Sequence, residues 1–324
     1  MMNVVAVTGG TGFIGRHVVA LLERHGAKVR ILTRQGGTVP EAEMIAGDVT
    51  DPLAIRRLLQ GAHAVIHLAG VAHTALRTAK EQEEAWRINV EGPRVLLEQS
   101  DQAGVRRVLL TSSAHVYREH RGYEIGEDAP TGNDDFYSRT KEAMEKLAVN
   151  GRSKAEVVVV RPCLTYGPGV RFNLERLMRA VDRGYYFHLS GQDPKRSFLS
   201  VNNVAAAIVH LLEAGSDGQI YNIADEHPES LVAFVNRLAQ FMNRRSPRTM
   251  PYGLARAAAW TLTPLARLGI KMPMHREALA KLTDTFTIST KKLAATKFIW
   301  PDSGELAFRE MVEFYQGKQQ GLRD

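Results

Sequence analysis

A glycine-rich turn between an apolar run and an amphipathic segment opens this chain and limits the folds that it can adopt. Residues 3–7 are a nearly continuous apolar run, of the kind that a parallel strand buried on both faces needs. Apolar side chains then recur at near-helical spacing from Phe13 to Leu22, and Gly26 ends the pattern. The sequence therefore predicts a strand, a glycine-rich turn over Thr8–Gly15 and a helix.

The glycines of this turn suit the binding of a dinucleotide. Gly9 permits a tight turn, Gly12 lets backbone amides approach a pyrophosphate, and Gly15 lets the helix pack closely on the strand. The helix N-terminus then faces the phosphate charge. A glycine repeat also occurs in ordinary loops, so the prediction depends on the flanking strand and helix. The cofactor residues predicted here are Gly9, Thr11, Gly12, Phe13, Ile14 and Gly15.

Strands and helices alternate through the first half of the chain, which predicts a parallel sheet covered on both faces. We expect an α/β fold with a doubly wound parallel (Rossmann) sheet and a smaller, mostly helical C-terminal substrate lobe. The dinucleotide-binding domain is predicted at 1–170, with 198–224 returning to it. Residues 171–197 and 225–324 are predicted to form the substrate-binding lobe, and the active site to lie in the cleft between them.

The composition indicates the compartment of the protein and the kinds of ligand that it can bind. A single cysteine, Cys163, excludes an internal disulfide and fits a reducing compartment, so we expect a cytoplasmic protein with no signal peptide. The net charge of +7 suits an anionic ligand, but no basic run with interleaved aromatic residues predicts nucleic-acid binding. The apolar stretch 257–266 is too short to span a bilayer.

The residues after the second predicted strand bear on the choice of cofactor. NAD sites usually place an acid there to hold the ribose 2′-hydroxyl, and residues 24–40 contain no Asp or Glu. Arg34 lies just past the strand, where a guanidinium can meet a 2′-phosphate. NADP(H) is therefore favoured. The alternative is an NAD(H) site with Arg34 as a surface residue.

A tyrosine and a lysine four residues apart, Tyr137 and Lys141, fall on one face of a predicted helix. A free phenol has a pKa near 10, and a neighbouring ammonium favours the phenolate, which brings Tyr137 into the range of acid–base catalysis. Lys141 would also hold the nicotinamide ribose. Ser113 follows a predicted strand, where ligands bind in such sheets, and would hydrogen-bond the reacting oxygen. These three residues are the predicted catalytic set.

Taken together, these motifs resemble those of the extended short-chain dehydrogenase/reductases of the NAD-dependent epimerase/dehydratase family, which act mostly on nucleotide sugars. The blocks that match, in the family's order and spacing, are Thr8–Gly15, Asp48-Val49, His67–Gly70, Thr111–Tyr117, Tyr137–Lys141, Arg161–Gly169 and Arg196–Val201. The resemblance implies further cofactor contacts at Asp48, Val49, Leu68, Ala69, Gly70 and Pro162. It implies substrate contacts at Ser113, His115, Asn173 and Arg196, and no metal.

The chain departs from the family's dehydratases directly after the catalytic serine. Those enzymes carry an Asp-Glu pair there, whereas this chain has Ala114-His115, so dehydration is not expected. His115 is interpreted as a structural or substrate-facing residue, with a catalytic helper as the alternative. The family's acid in the substrate segment is also missing, and Asn202 in its place is interpreted as the cap of a helix over 203–213.

The favoured function is reduction of a 4-keto UDP-sugar at C4 by NAD(P)H, with Tyr137 as proton donor, as in bacterial reductases that make units of surface polysaccharide. A UDP-sugar 4-epimerase with tightly bound NAD is the first alternative, since its catalytic residues would be identical. A non-catalytic binding or assembly module is the second. A homodimer is an open expectation, and residues 252–283 are read as a lid, a partner surface or a pair of packed helices.

Overall fold

The computed structural model describes residues 4–34, 39, 41–71, 76, 78–132, 134–151, 153–267 and 276–320. The strands are β1 Val4–Thr8, β2 Lys28–Thr33, β3 Glu43–Ala46, β4 Ala64–His67, β5 Arg107–Thr111, β6 Gly122–Ile125, β7 Glu156–Pro162, β8 Leu164–Tyr166, β9 Phe187–Leu189, β10 Lys195–Arg196, β11 Phe198–Ser200, β12 Gln219–Ile223, β13 Glu229–Ser230, β14 Arg248–Met250 and β15 Phe286–Ile288. The helices are α1 Phe13–Arg24, α2 Pro52–Leu59, α3 Ala79–Trp86, α4 Gly92–Ala103, α5 Phe136–Asn150, α6 Asn173–Asp182, α7 Val201–Ala214, α8 Leu231–Phe241, α9 Tyr252–Arg267, α10 Arg276–Thr283, α11 Lys291–Ala295 and α12 Glu305–Gln320. A π-helical turn, Arg87–Glu91, joins α3 to α4, and a 3₁₀ turn, Ala114–Val116, follows β5.

Seven parallel strands form the main sheet in the order β12-β7-β5-β4-β1-β2-β3. This is the predicted doubly wound α/β fold. From β1 the chain proceeds to β2 on one side and later to β4 on the other, so the strand order reverses between β1 and β4. Such a reversal opens a crevice at the carboxyl ends of the strands, and ligands bind there in sheets of this type. The glycine-rich turn lies at this point.

Each face of the main sheet carries its own apolar core because successive strand residues point to opposite sides. In β5, Leu109 packs into the core that includes residues of α1, α6, α7 and α8. Its neighbours Val108 and Leu110 pack into the core built with α2, α4 and α5. All three side chains are fully buried. This two-sided burial explains why the central strands read as continuous apolar runs in the sequence.

A second, four-stranded sheet has the order β13-β10-β15-β6, and two strand pairs, β11-β8 and β14-β9, complete the strand pairing of the described residues. The C-terminal part is mainly helical, as predicted, with α8 to α12 after β13. Strand β6 was not predicted, and it brings residues 122–125 of the first half of the chain into the small sheet. The proposed domain limits at 170, 198 and 224 stay a prediction.

The start of α7 differs from its prediction. The helix begins at Val201, and Ser200 is its N-cap, with Ser200 Oγ accepting from the Asn202 amide at 3.2 Å. Asn202 is therefore not the cap; its side-chain amide donates to Asp302 at 2.9 Å. A serine hydroxyl at the true N-cap satisfies the free amide of the first turn as well as an asparagine would. Among the described helices, none has the length and apolar character needed to cross a bilayer.

Candidate active site

The glycine-rich turn holds β1, α1 and the end of β4 close together. Gly9 has a φ of +71°, and a Cβ placed on it would lie 2.6 Å from the Ala69 amide nitrogen. A Cβ on Gly15 would overlap the Gly9 carbonyl oxygen. The N-cap of α1 is Gly12, whose extended backbone offers no side chain to the first amides of the helix. The turn therefore leaves those amides to an anion, which fits the pyrophosphate of a dinucleotide.

The structure brings Ser113, Tyr137 and Lys141 together at the carboxyl end of β5. Ser113 follows that strand by two residues, and its side chain hydrogen-bonds Tyr137. Lys141 Nζ donates to the Thr111 carbonyl at 2.8 Å. Gly70, at the end of β4, is so close that a Cβ on it would lie 3.4 Å from Lys141 Nζ. We refer to Ser113, Tyr137 and Lys141 below as the trio.

Burial shifts the pKa values of two members of the trio. Burial raises the pKa of Tyr137 to about 12; the hydrogen bond from Ser113 opposes the rise, and Asp135 adds to it. Burial also lowers the pKa of Lys141 to about 8, against a smaller opposing effect of Glu145. At neutral pH Tyr137 thus holds its proton and Lys141 still carries its charge. The prediction that a neighbouring ammonium brings the Tyr137 pKa down into the acid–base range is therefore wrong, because burial disfavours the phenolate more strongly; the protonated phenol can still donate a proton.

Helix α5 places Tyr137 and Lys141 and is fixed at its start. Asp135 is the N-cap and accepts from the Ser138 amide at 3.0 Å. One turn later, Thr140 Oγ1 accepts a 2.9 Å hydrogen bond from Asn89 in the π-helical turn. Asn89 is fully buried and also accepts from the Val71 amide at 2.8 Å, which fixes the chain just after Gly70. Asn89 thus ties α5 to the end of β4.

Sequence reasoning missed Asn89 and the role of His67. The signal for Asn89 was a single amide side chain inside the apolar run Ile88–Val90, where a buried polar group needs partners. His67 is buried, its Nδ1 lies 2.8 Å from Thr8 Oγ1, and burial with the nearby Lys141 charge lowers its pKa to about 3. Neutral His67 therefore joins the last residues of β1 and β4 beneath the glycine-rich turn.

His115 lies beside the trio. Its Nε2 is 2.9 Å from Asp135 Oδ2, and its ring centroid is 6.1 Å from that of Tyr137. The ring of His120 lies 4.3 Å away on centroids. His115 is therefore held beside Tyr137 by the carboxylate that also caps α5, and its role toward a substrate stays a prediction.

A cluster of charges lies at the predicted adenosine end of the site. Burial raises the pKa of Asp48, but hydrogen bonds from Arg87 and Thr50 outweigh this effect and hold it at about 2. Arg87 bridges Asp48 and Glu84, and Arg34 Nη1 lies 3.9 Å from Glu84 with 62% of its side chain exposed. The Arg34 side chain is thus accessible to a ligand next to the pair of Asp48 and Arg87. Val49 is buried against Gly92.

The predicted substrate residues of the second half lie on separate elements. Asn173 is exposed at the first position of α6, after Phe172, whose φ is +61°. Arg196 lies in β10, half-buried and paired in register with Phe286 of β15. Burial lowers the pKa of Arg196, with Asp284 opposing the shift. Pro162 ends β7 opposite Ile223.

This fold and this arrangement define an enzyme of the nicotinamide-dependent oxidoreductase class. The model of the "NAD dependent epimerase/dehydratase family" matches residues 5–224, and the chain belongs to that family.

Curated relatives of the chain differ in what they act on. It is 28% identical over 281 residues to "3 beta-hydroxysteroid dehydrogenase/Delta 5-->4-isomerase" of Mycobacterium tuberculosis, covering 82% of this chain and 75% of the relative. It is 29% identical over 250 residues to "UDP-glucose 4-epimerase" of Vibrio cholerae, covering 74% and 76%. Among solved structures it is similar to "MoeE5 in complex with UDP-glucuronic acid and NAD", with a TM-score of 0.72 and 25% identity over 98% of this chain and 99% of that one.

Proposed function

We propose that this protein reduces the 4-keto group of a UDP-sugar with NADPH, and that the trio forms its catalytic centre. Ser113 donates a hydrogen bond to the keto oxygen. Tyr137, protonated because burial raises its pKa to about 12, gives its proton to that oxygen as the carbonyl becomes an alcohol. The bound cofactor supplies the hydride to C4.

Lys141 has two tasks in this proposal. Its charge lies beside Gly70 at the crevice, within reach of the nicotinamide ribose hydroxyls. The same charge favours the phenolate that remains when Tyr137 has given up its proton, and so assists the transfer. Water then returns a proton to Tyr137 before the next turnover.

The position of Arg196 carries the choice of a nucleotide sugar over an apolar substrate. Arg196 presents a half-buried guanidinium in the small sheet, and the fork of a guanidinium can bind a diphosphate through two parallel hydrogen bonds. In this proposal Asn173 contacts the nucleotide from α6, and His115 contacts the sugar next to Tyr137. A steroid has no diphosphate for a guanidinium at this position.

Arg34 supports NADPH as the reductant. Its exposed side chain follows β2 next to the cluster of Asp48 and Arg87, and no acid in residues 24–40 is present to hold a ribose 2′-hydroxyl. A 2′-phosphate would draw Arg34 away from Glu84, 3.9 Å away. A cofactor that binds as NADPH and leaves as NADP suits a reductase.

The residues after Ser113 favour simple reduction. Ala114 is buried and carries no acid–base group, so it offers no proton to a leaving hydroxyl. An earlier enzyme that eliminates water would have to supply the keto-sugar. The similarity to a UDP-glucose 4-epimerase keeps 4-epimerisation with retained NAD as the second candidate, because it needs the same trio.

The test is to mix the purified protein with a UDP-4-keto-6-deoxy-N-acetylhexosamine and NADPH. We expect stoichiometric loss of the nicotinamide absorbance together with one alcohol product. No loss, combined with interconversion of UDP-hexose 4-epimers by protein that carries its own NAD, would decide for the epimerase. Oxidation of a 3β-hydroxysteroid in the absence of either activity would overturn the nucleotide-sugar proposal.

A further inference from the structure

The positive charge of this chain is concentrated in one segment. Residues 230–276 contain eight Lys and Arg and no Asp or Glu, whereas the remainder of the chain carries 34 Lys and Arg against 35 Asp and Glu. The whole net charge of +7 therefore originates from this stretch. Arg237 and Arg244 pair with Glu229 and Asp182 outside the segment, and the positive charge that remains points to a surface that meets an anionic partner.

Helix α9 in this segment buries a narrow face. Ala255 and Ala259, one turn apart, pack on Leu189 of β9 and Leu279 of α10. The opposite arc of the helix is exposed and contains Gly253, Leu254, Arg256, Ala257, Trp260 and Thr261. Leu254 is 64% exposed and Trp260 62% exposed, so two large apolar side chains lie at the surface together.

Two arginines flank these apolar side chains. Arg256 lies one turn before Trp260 on the exposed arc. Arg248 lies in β14, which ends at Met250, two residues before α9 begins. Arg248 and Arg256 are exposed, and among the described residues neither has a carboxylate partner. We name Arg248, Leu254, Arg256 and Trp260 the α9 surface.

We propose that the α9 surface docks the protein on an anionic lipid bilayer. Trp and Leu side chains on a helix with basic flanks lie at the boundary between headgroups and acyl chains, with the helix in the plane of the membrane. Each nearby Lys or Arg adds attraction to anionic headgroups. The helix binds at the surface without crossing the bilayer, and the absence of acids from residues 230–276 removes repulsion.

The chemistry of this surface favours lipid over other anionic partners. Nucleic acid would use the arginines, but its phosphates give no reason to expose Leu254 and Trp260 beside them. A second copy of the chain that docks through the same face would bring the cationic side chains of Arg248 and Arg256 against one another. A bilayer satisfies the apolar and the cationic groups at once.

The α9 surface also connects to the substrate lobe. Its partner α10 ends at Thr283, and Thr285 Oγ1 accepts a 3.1 Å hydrogen bond from the Lys195 amide, next to Arg196. Docking would therefore place the sheet that carries Arg196 near the membrane. This inference does not depend on the identity of the substrate.

Sedimentation with lipid vesicles tests the proposal. We expect the full-length protein to bind vesicles of equal phosphatidylglycerol and phosphatidylcholine, to bind phosphatidylcholine alone weakly, and to be released by salt. Arg248→Gln with Arg256→Gln should weaken binding about 25-fold, at about fivefold for each charge. Leu254→Ala with Trp260→Ala should weaken it roughly tenfold or more.

Two matched controls test whether vesicle binding depends on the α9 surface rather than on total charge or on exposed apolar side chains elsewhere. Ile299→Ala removes an apolar side chain that is 83% exposed elsewhere, and Lys28→Gln with Arg106→Gln removes two exposed charges at the amino ends of β2 and β5. Both should bind vesicles like the wild type. All variants lie on the surface and should keep the wild-type circular dichroism. Trp260→Phe should still bind but lose most of the blue shift of tryptophan emission on anionic vesicles.

Several results would overturn the proposal. One is equal binding by wild type and both α9 variants, or no binding to anionic vesicles at all. Another is tight binding to duplex DNA that needs the arginines but not Leu254 or Trp260, without vesicle binding. A third is a dimer that the Leu254→Ala, Trp260→Ala variant converts to monomer while vesicles bind neither form.

Discussion

Burial governs the protonation of Tyr137 and Lys141 in the proposed catalytic centre. It raises the pKa of the phenol to about 12 and lowers that of the ammonium to about 8, so two groups that have nearly the same acidity in water differ strongly here, and the ammonium is the stronger acid. The protein thus holds a proton donor and a cation that has lost part of its hydration at one point of the crevice. Three predictions concern single side chains at this site.

Replacing Tyr137 by Phe keeps the ring and removes the proton donor. We expect turnover to fall about a hundredfold or more, the effect of losing a general acid, while the dissociation constant for NADPH stays near that of the wild type. Phe136→Leu, at the neighbouring position, is the control and should retain most activity. Near-normal turnover of Tyr137→Phe would show that another group donates the proton.

Replacing Lys141 by Met should lower activity without lowering thermal stability. Because burial lowers the Lys141 pKa to about 8 from an ordinary 10.5, the unfolded chain binds more protons between these values, and stability rises with pH over that window. Below pH 8 the buried charge costs free energy, which Met removes. We expect the variant without cofactor to melt at the same or a higher temperature at pH 7, yet to bind NADPH weakly and turn over slowly. A melting temperature well below that of the wild type would contradict this account.

Arg34→Ala tests the choice of cofactor. If Arg34 binds the 2′-phosphate, its loss removes about 1.5–3 kcal/mol and raises the dissociation constant for NADPH roughly tenfold or more. Binding of NADH should change little, and replacing Arg106, an exposed arginine at the amino end of β5, by Ala should change the binding of neither cofactor. Equal effects of Arg34→Ala on both cofactors would restore NAD or dual use.

At the scale of elements, the glycine-rich turn combines a positive φ with close contact. Gly9 and Gly61 have nearly the same φ, +71° and +68°, but a Cβ on Gly61 would meet nothing within 4 Å. A comparison of alanine variants at the two positions therefore separates the effect of backbone strain from the effect of crowding against Ala69. Both glycines end a strand or helix, and only Gly9 lies in the crevice.

Gly9→Ala should lose cofactor binding, whereas Gly61→Ala should not. Both carry the cost of a left-handed alanine, about 1 kcal/mol, and Gly9→Ala must also move the end of β4. We expect about 1–3 kcal/mol of further destabilisation and a large rise in the dissociation constant for NADPH. Calorimetric unfolding and cofactor titration measure the two effects. Equal behaviour of the two variants would mean that the contact with Ala69 has no consequence.

Elements formed by local interactions could be predicted from the sequence, whereas elements formed by contacts between distant parts of the chain could not. The central strands and α1 follow from local apolar periodicity, and the proximity of Tyr137 to Lys141 follows from helix geometry. Strand β6 has no such signal, because Gly122–Ile125 is short and exists through pairing with β15, far along the chain. The bonds of Asn89 to Val71 and Thr140 are equally long-range. The prediction of Asn202 as the N-cap of α7 was wrong because Ser and Asn are both good N-cap residues. The residue at which the helix begins decides between Ser200 and Asn202.

At the scale of the whole molecule, the main sheet and the small sheet divide the work that we propose. The main sheet presents the glycine-rich turn and the trio at the carboxyl ends of its strands, and the small sheet presents Arg196. The doubly wound parallel sheet could be predicted from the alternation of strands and helices. The way in which β6, β10 and β15 meet could not, since it pairs residues that are 90 and 164 positions apart in the chain.

The most direct test of the central claim follows the hydride itself. NADPH deuterated on the transferring face of its nicotinamide is incubated with the UDP-4-keto-sugar, and the product is examined by NMR. We predict one deuterium at C4 of the sugar for each NADP released, with no product from Tyr137→Phe. Product without deuterium at C4, or label that stays on a cofactor never released from the protein, would contradict the account.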